Sequence, residues 1–481
     1  MKNSAKYIKL IISFLFIFGF GFIPAPYGLN QISMKVLGIF IGTIILWLGI
    51  SISWPSLVCI FALTLSGLYT ANEALAGSIG SWTPTFVLFS AAICYVLADT
   101  GFLRRSAIWF ITRPMCKKNP WAFIAMLFLA PIIIGSVLDP ISTFIIFIPI
   151  MEQIFLELGY QKGDRVPKMI TLGVLCFASV STLTTPISHP FPIIAMSVYN
   201  SLTGGQIGFL QFSLIGFITA FIIYGMVLAT FKFLYNPDVS RIKNVDTEFL
   251  LNEIKPMSKK ERISLTVFIV VVVIWMAPGL IGGILPNVAK FLKGMGTAMP
   301  AIIGFVLLCI IEVDGKPIAD FNETMKKGIP WGAWILVATT ALLGAAVTSS
   351  EAGLTTLLGN IIAPLVSSVS SIVSVLIIAA ITIASTNFIT NAVTVTLVSS
   401  IVLPLTISGV IPNISASAIT VVIGMGACIA MATPPSTAPA AMAVGTGWLD
   451  TTTMFKWGML IVLISIIIVT FITYPLATIL I

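Results

Sequence analysis

The chain has 481 residues, of which 58% are hydrophobic and only 9% are charged, with a formal net charge of +8. A soluble globular chain carries about 25% charged residues, so this composition excludes one. Apolar stretches near the ~20 residues that cross a bilayer recur from end to end. Alternating segments of about ten residues, the sign of a membrane β-barrel, are absent. The sequence therefore predicts an all-α polytopic membrane protein.

About eleven transmembrane helices are predicted, together with two special segments. Two apolar blocks, 121–157 and 361–404, are each too long for one helix and too short for two ordinary helices. Each block is interrupted near its middle by polar residues, Gly or Pro, which predicts two re-entrant hairpins that enter and leave on the same side. The predicted crossings are 8–24, 33–50, 57–70, 83–99, 169–198, 208–235, 262–282, 296–311, 330–349, 417–447 and 455–480.

The distribution of basic residues predicts the orientation. If the N-terminus is cytoplasmic, 22 of the 25 Lys and Arg residues fall on the cytoplasmic side. The positive-inside rule therefore predicts a multi-pass protein of the cell (plasma) membrane, with the N-terminus cytoplasmic and the C-terminus outside. The same bias accounts for the net charge. We therefore expect the lipid bilayer as a partner and no binding of nucleic acid. Six cysteines without CxxC spacing predict neither a disulfide framework nor a metal site.

The polar segment 236–261 divides the chain into two halves that repeat. We interpret it as a cytoplasmic linker between a first repeat, 1–235, and a second repeat, 262–481. Five crossings separate the matched elements, so the second copy is inverted, as in many secondary transporters. At a shift of 252 residues Asp99, Gly101, Asp139 and Ser142 meet Glu351, Gly353, Asn391 and Thr394, and 183–190 meets 431–438 at a shift of 248.

The hairpin tips and two neighbouring Thr-Pro breaks predict a binding site in the middle of the membrane. Free amides and helix N-termini at such breaks favour an anion, whereas hydroxyl and carbonyl oxygens can coordinate a small cation. For any single hydroxyl, the alternative is a hydrogen bond back to its own helix. The candidate residues are Asp139, Pro140, Ser142, Thr184, Thr185, Pro186 and His189, and Thr390, Asn391, Ala392, Thr394, Thr433, Pro434, Pro435 and Ser436.

The chain resembles the divalent anion/sodium symporter family over nearly its whole length. The residues that carry this resemblance are 329–354, 386–397 and 432–436, with 99–105 and 183–190 in the first half. The resemblance implies a secondary transporter of C4/C5 dicarboxylates such as succinate, malate, fumarate and 2-oxoglutarate. It also implies a homodimer in which a transport domain moves, as an elevator, against a fixed scaffold.

The family pattern has a Ser-Asn-Thr motif at each tip, and only the second tip keeps part of it. Thr390, Asn391 and Ala392 occupy the second motif, and Thr386 matches a sodium-site position of the family. Leu138, Asp139 and Pro140 occupy the first motif, where nothing is retained. The resemblance thus implies at most one Na⁺, at Thr386 and Asn391, and no other cofactor. We expect an exchanger with weak or no sodium dependence; the alternative is a sodium-coupled symporter of dicarboxylates or other divalent anions (citrate, sulfate).

His189, the one histidine, has two readings. It is either structural, or it supplies positive charge beside Asp139.

Two other classes of protein are disfavoured. A channel needs a continuous polar path, and the apolar flanks of both tips oppose one. The chain also lacks HExxH, GxSxG and P-loop motifs, so we predict no enzyme activity and no use of ATP.

Overall fold

A computed structural model describes residues 2–26, 29–244, 256–355, 357 and 369–481. Within these ranges the only strands are β1 (Glu312–Val313) and β2 (Lys316–Pro317), which pair antiparallel, and everything else that is regular is helical. The helices before the linker are α1 (Lys2–Phe14), α2 (Gln31–Gly49), α3 (Trp54–Leu65), α4 (Ala71–Gly77), α5 (Trp82–Asp99), α6 (Phe102–Ile111), α7 (Pro114–Lys118), α8 (Pro120–Gly135), α9 (Pro140–Glu157), α10 (Arg165–Ser181), α11 (Pro190–Thr203) and α12 (Phe209–Ala229).

The helices after the linker follow a similar order of long and short segments. They are α13 (Lys259–Ile281), α14 (Pro286–Gly294), α15 (Ala298–Ile310), α16 (Phe321–Lys327), α17 (Trp331–Thr348), α18 (Ser371–Ser385), α19 (Asn391–Ile407), α20 (Ala416–Gly426), α21 (Ala438–Gly445), α22 (Thr451–Ile468) and α23 (Tyr474–Leu480). Short π-helical segments, Thr230–Tyr235 and Val469–Thr473, continue α12 and join α22 to α23.

Seven helices in the described part of the chain are long and apolar enough to cross a bilayer. An eighth span results if α14 and α15, which are bent by 78°, are counted together. The prediction of an all-helical, multi-span membrane protein is confirmed. The predicted crossing 8–24 is not one regular α-helix, because a π-helix at Leu15–Gly19 and a 3₁₀ turn at Phe20–Phe22 follow α1. These long helices are fewer than the predicted crossings because some crossings, such as 169–198 and 417–447, consist of two shorter helices.

Two of the predicted crossings are broken in the middle. Residues 182–189 separate α10 from α11, and residues 427–437 separate α20 from α21. Pro190 lies at the first position of α11, where the N–H that proline lacks would have no partner in the helix. Pro439 lies in the first turn of α21 in the same way. The chain therefore stops one helix and starts another within each predicted crossing.

Each hairpin contacts broken helices from both halves of the chain. The pair α8 and α9 packs on α10, and the pair α18 and α19 packs on α20. In addition, α21 contacts α9 and α10, while α11 contacts α19 and α20. The two halves therefore interlock around the breaks, because each hairpin packs against broken helices of both halves.

The helices of these two groups begin at a constant spacing. Helices α8, α9 and α10 begin at residues 120, 140 and 165, and α18, α19 and α20 begin 251 residues later in each case. This spacing agrees with the internal repeat that the sequence predicts. The boundaries of the repeats remain a prediction, since residues 245–255 of the linker and 361–368 of the second hairpin lie outside the described residues.

A buried ion pair joins the two halves beside the linker. The guanidinium of Arg105 on α6 donates two hydrogen bonds, of 2.6 and 3.1 Å, to the carboxylate of Glu261 on α13. Glu261 is only 2% exposed and also completes the capping box of Ser258 at the start of α13. Because removing one partner of a buried pair leaves an uncompensated charge, this contact fixes α6 against α13.

Candidate functional site

The first hairpin tip is capped by its own carboxylate. Asp139 precedes α9, and its Oδ1 accepts hydrogen bonds from the backbone N–H groups of Ile141 (2.9 Å) and Ser142 (3.0 Å). The hydroxyl of Ser142 donates to Oδ2 of the same carboxylate. The negative side chain therefore satisfies the free N–H groups at the start of α9 and lies at the positive end of the helix dipole.

The second hairpin tip is open. Thr390 precedes α19, and its side chain makes no capping hydrogen bond. The amide of Asn391, a residue that is 7% exposed, has no hydrogen-bond partner among the described residues. One turn further on, the buried hydroxyl of Thr394 is likewise without a partner in the described chain. Polar groups at the start of α19 are therefore available to a ligand, whereas those at the start of α9 are used.

The threonine of each Thr-Pro break donates a hydrogen bond to the neighbouring hairpin tip. Thr185 donates its hydroxyl hydrogen bond to the carbonyl of Ser136 in the first tip. Thr433, 248 residues later, donates to the carbonyl of Asn387 in the second tip. The serine three residues after each threonine, at 188 and 436, donates back to the carbonyl of that threonine, at 2.8 and 2.6 Å. The two breaks thus make the same contacts, as their matching sequences lead one to expect.

Asn387 ties the second tip to the second break with all of its polar atoms. Its Nδ2 donates to the carbonyls of Ile383 (2.7 Å) and Ile429 (2.8 Å). Its Oδ1 accepts from the backbone N–H groups of Met431 and Ala432, both at 2.9 Å. The side chain is fully buried. Asn387 is absent from the predicted site. A polar amide side chain inside an apolar block is the feature of the sequence that could have indicated it.

The two breaks also contact each other. The hydroxyl of Ser179 at the end of α10 donates to the carbonyl of Ala430 in the second break, at 3.1 Å. The thiol of Cys428 lies 3.8 Å from the carbonyl of Thr182 at the start of the first break. Unwound backbone from the two breaks is therefore in contact, whereas a common site of both tips and both breaks stays a prediction.

A glycine lets one long helix approach each break closely. A Cβ at Gly216 on α12 would lie 2.8 Å from the Cα of Thr184 in the first break. A Cβ at Gly458 on α22 would lie 2.8 Å from the Cα of Ala432 in the second break. Both glycines are the eighth residue of their helices, and the two contacted residues are 248 apart. The sequence analysis missed this pair, because nothing in a single sequence distinguishes these glycines from the others.

A cavity of about 330 Å³ lies against the first tip and the first break. Its walls come from α5, from the tip around Asp139, from residues 186–190, and from residues 327–330 of the second half. Of the predicted site residues, Asp139, Ser142, Pro186 and His189 line this cavity. None of the predicted residues of the second tip or second break is among the described residues that line this cavity.

His189 faces this cavity from the start of α11. Its Nδ1 atom is buried without a hydrogen-bond partner in the described chain, and its ring centroid lies 3.9 Å from that of Phe191. No hydrogen bond joins His189 to Asp139 among the described residues, although both line the cavity. The role of His189 stays a prediction.

The other predicted residues have the following surroundings. Thr184 donates its hydroxyl to the carbonyl of Ser181 at 2.6 Å, the helix-bonded alternative for this residue. Pro140 and Ala392 are buried in the first turns of α9 and α19. In the second half, Thr390 and Pro435 are exposed, whereas Pro434 is half-buried.

The predicted sodium ligands lie at the two ends of the second tip. The hydroxyl of Thr386 donates to the carbonyl of Ala427 at 2.9 Å, which leaves its lone pairs free to accept. The amide oxygen of Asn391 is a second free acceptor. Hydroxyl and amide oxygen atoms are the kind of ligand that a small cation takes, and a Na⁺ site at the second tip stays a prediction. At the first tip the carboxylate of Asp139 already accepts three hydrogen bonds.

Comparison with known proteins gives a match over almost the whole chain. A family model described as "Sodium:sulfate symporter transmembrane region" matches residues 4–481. A sodium-dependent dicarboxylate transporter, SdcS, of Staphylococcus saprophyticus is 25% identical over 340 residues, 68% of this chain and 64% of the relative. A membrane protein of Cupriavidus necator is 21% identical over 69% of this chain and 65% of its own length. The matched regions thus span just under two thirds of these two relatives.

Two further comparisons cover more of the chain. An uncharacterized transporter of Haemophilus influenzae is 21% identical over 86% of this chain and 84% of its own length. The crystal structure of the Alcanivorax borkumensis YdaH transporter superposes with a TM-score of 0.60 over 85% of this chain and 88% of that chain, at 14% identity. This structure establishes the likeness of fold and nothing beyond it.

The close approach of α12 to the first break predicts a specific loss of stability. Gly216→Ala places a methyl group against the backbone of Thr184, so the helix or the break must shift, at a cost of about 1–3 kcal/mol. We expect a lower melting temperature of the protein in detergent. Gly225→Ala in the same helix is the matched control, because a Cβ there meets nothing within 4 Å. Equal melting temperatures for the two variants would contradict this packing.

Proposed function

Because the chain belongs to the Sodium:sulfate symporter transmembrane family, we propose that it is a secondary transporter of C4/C5 dicarboxylates such as succinate, malate, fumarate and 2-oxoglutarate. The match to this family confirms the predicted resemblance. Because the family is one of transporters, it also confirms the prediction that the chain is not an enzyme. One relative named as a sodium-dependent dicarboxylate transporter supports this class of substrate. Citrate and sulfate are the alternative anions.

The observation that carries this proposal is the open start of α19. The first N–H groups of a helix have no partner within it and attract an anion through the helix dipole. At α19 no side chain caps these groups, and the free amide of Asn391 lies beside them. We propose that one carboxylate of the substrate accepts hydrogen bonds from these donors, with the hydroxyl of Thr394 close by.

We propose exchange of one dicarboxylate for another, with weak or no dependence on sodium. The first tip lacks the Ser and Asn oxygens of the family motif, and its Asp139 is used in capping α9. One cation site, at Thr386 and Asn391, is all that the chain retains. An empty carrier would bring the open donors of α19 into the apolar layer without partners, which is costly. A bound anion satisfies them, so the loaded carrier crosses more easily.

Uptake into liposomes tests the exchange. Labelled succinate should enter vesicles that contain the purified protein and were preloaded with unlabelled dicarboxylate, and a sodium gradient should change this rate little. Empty vesicles should take up far less label, since the unloaded site returns poorly. Strong sodium-driven accumulation in empty vesicles would contradict exchange and support the symporter alternative.

The amide of Asn391 should be needed for binding. Asn391→Ala removes a donor to a charged carboxylate, a loss of about 1.5–3 kcal/mol, or roughly ten- to hundredfold weaker binding. We expect a corresponding rise in KM for succinate with near-normal expression. Thr406→Val, at the other end of α19, is the control, because its hydroxyl bonds back to the carbonyl of Val402. An unchanged KM in Asn391→Ala would remove this residue from the site.

We propose that the protein lies in the cell membrane with its N-terminus in the cytoplasm and its C-terminus outside. The 22 basic residues that fall on one side support this orientation. Cysteines introduced at Lys243 and Asn413, both exposed, should be labelled from the cytoplasm and from outside, respectively. Labelling of both from one side would contradict the inverted repeat.

We also propose a homodimer with elevator-type movement, as the family resemblance implies. The interlocked hairpins and broken helices form one unit that could move together, which supports this idea. Light scattering of the detergent-solubilised protein measures the oligomeric state, and a monomeric mass would contradict the dimer.

A further inference from the structure

The cavity beside the first tip has a single Lys or Arg among its described lining residues, Lys327. The carboxylate of Asp139, whose negative charge repels an anion, also lines this cavity. A dicarboxylate in this cavity would thus be repelled from the tip and attracted to Lys327. The sequence analysis found no basic residue in either tip, and Lys327 comes from outside them, from the end of α16.

In the described part of the chain, the Lys327 side chain has one ion-pair partner, Glu323, and the pair is exposed. Its Nζ lies 2.7 Å from Oε1 of Glu323, one helical turn earlier, and the two side chains are 58% and 56% exposed. The hydrogen bond and charge of Glu323 raise the pKa of Lys327, so the amine is charged at neutral pH. Exposed ion pairs of this type stabilise little and exchange partners readily.

The backbone around Lys327 is packed against the protein, although its side chain is exposed. A Cβ on Gly328 would lie 2.6 Å from the ring carbon Cγ of Tyr95, so residue 328 packs directly on α5. The indole of Trp331 donates to the carbonyl of Met325 at 3.1 Å and closes the end of α16. The ammonium group is therefore carried by a flexible side chain on packed backbone at the edge of the cavity.

The Glu323–Lys327 pair lies between two cavities. Glu323 lines a larger cavity of about 680 Å³, Lys327 lines the smaller one, and Tyr95 lines both. An anion in the smaller cavity therefore competes with the carboxylate of Glu323 for the same ammonium group.

We propose that Lys327 is a substrate-contacting residue, which exchanges its ion pair with Glu323 for a carboxylate of the transported anion. This inference rests on the proposed transport of dicarboxylates. It adds to the proposed contact at the second tip a separate contact, from Lys327, in the cavity beside the first tip. Glu323 then acts as a competitor that releases Lys327 when the substrate arrives.

Transport kinetics of four variants in proteoliposomes test this proposal, with labelled succinate as the probe. K327Q should raise KM about three- to tenfold, the effect expected for losing one charge-assisted hydrogen bond at an exposed site. E323Q should lower KM about two- to threefold, because it removes the competing carboxylate. K327R should restore a KM near that of the wild type, with kcat little changed.

K326Q is the matched control, because Lys326 is the exposed neighbour on α16 and does not line the cavity. Its KM should equal that of the wild type. An unchanged KM in K327Q, an equal rise in K326Q, or a raised KM in E323Q would overturn the role of Lys327 while the wild type still transports succinate. Absence of any anion transport by the wild type would overturn both this inference and the proposed function.

Discussion

The backbone of a broken helix inside an apolar layer must find hydrogen-bond partners without water, and this constraint shapes the centre of the molecule. Each break leaves carbonyl and N–H groups that the helix no longer satisfies. Threonine hydroxyls at 185 and 433 bond the neighbouring hairpin tips, and the Asn387 amide satisfies two carbonyls and two N–H groups at once. The hairpins are therefore partners that the broken helices require, as well as carriers of a site.

The two halves satisfy these backbone groups with the same arrangement of hairpin and broken helix, but the charge at their hairpin tips differs. At the first tip, Asp139 supplies a negative charge from within the chain and satisfies the start of α9. At the second tip, the start of α19 has no side-chain cap. A structure with two similar hairpins thus has one closed and one open helix N-terminus. This asymmetry follows from a few residues and leaves the packing of the hairpins unchanged.

The sequence predicts the parts of this arrangement that leave a local pattern. Polar residues inside apolar blocks indicated both hairpins, and matched Thr-Pro stretches indicated both breaks with the correct spacing. Contacts between distant segments left no such pattern. Gly216 and Gly458 look like ordinary membrane glycines until α12 and α22 are seen against the breaks, and Lys327 looks like part of a cytoplasmic basic loop until the cavity is seen. Fewer continuous long helices than predicted crossings are seen, because several of those crossings are divided into two shorter helices.

The complete hydrogen bonding of Asn387 has a consequence for how natural variants of this chain should be compared. An amide with two donors and two acceptor positions in use cannot be replaced by Asp, which lacks the donors, or by Leu, which lacks both. Gln has the same groups on a longer stem, which the closed surroundings do not accommodate. If Asn is invariant at position 387 across species, the cause is therefore the structural role of the residue and not the anion that each protein carries. Position 391, whose amide has no protein partner, is where divergence should follow the chemistry of the ligand.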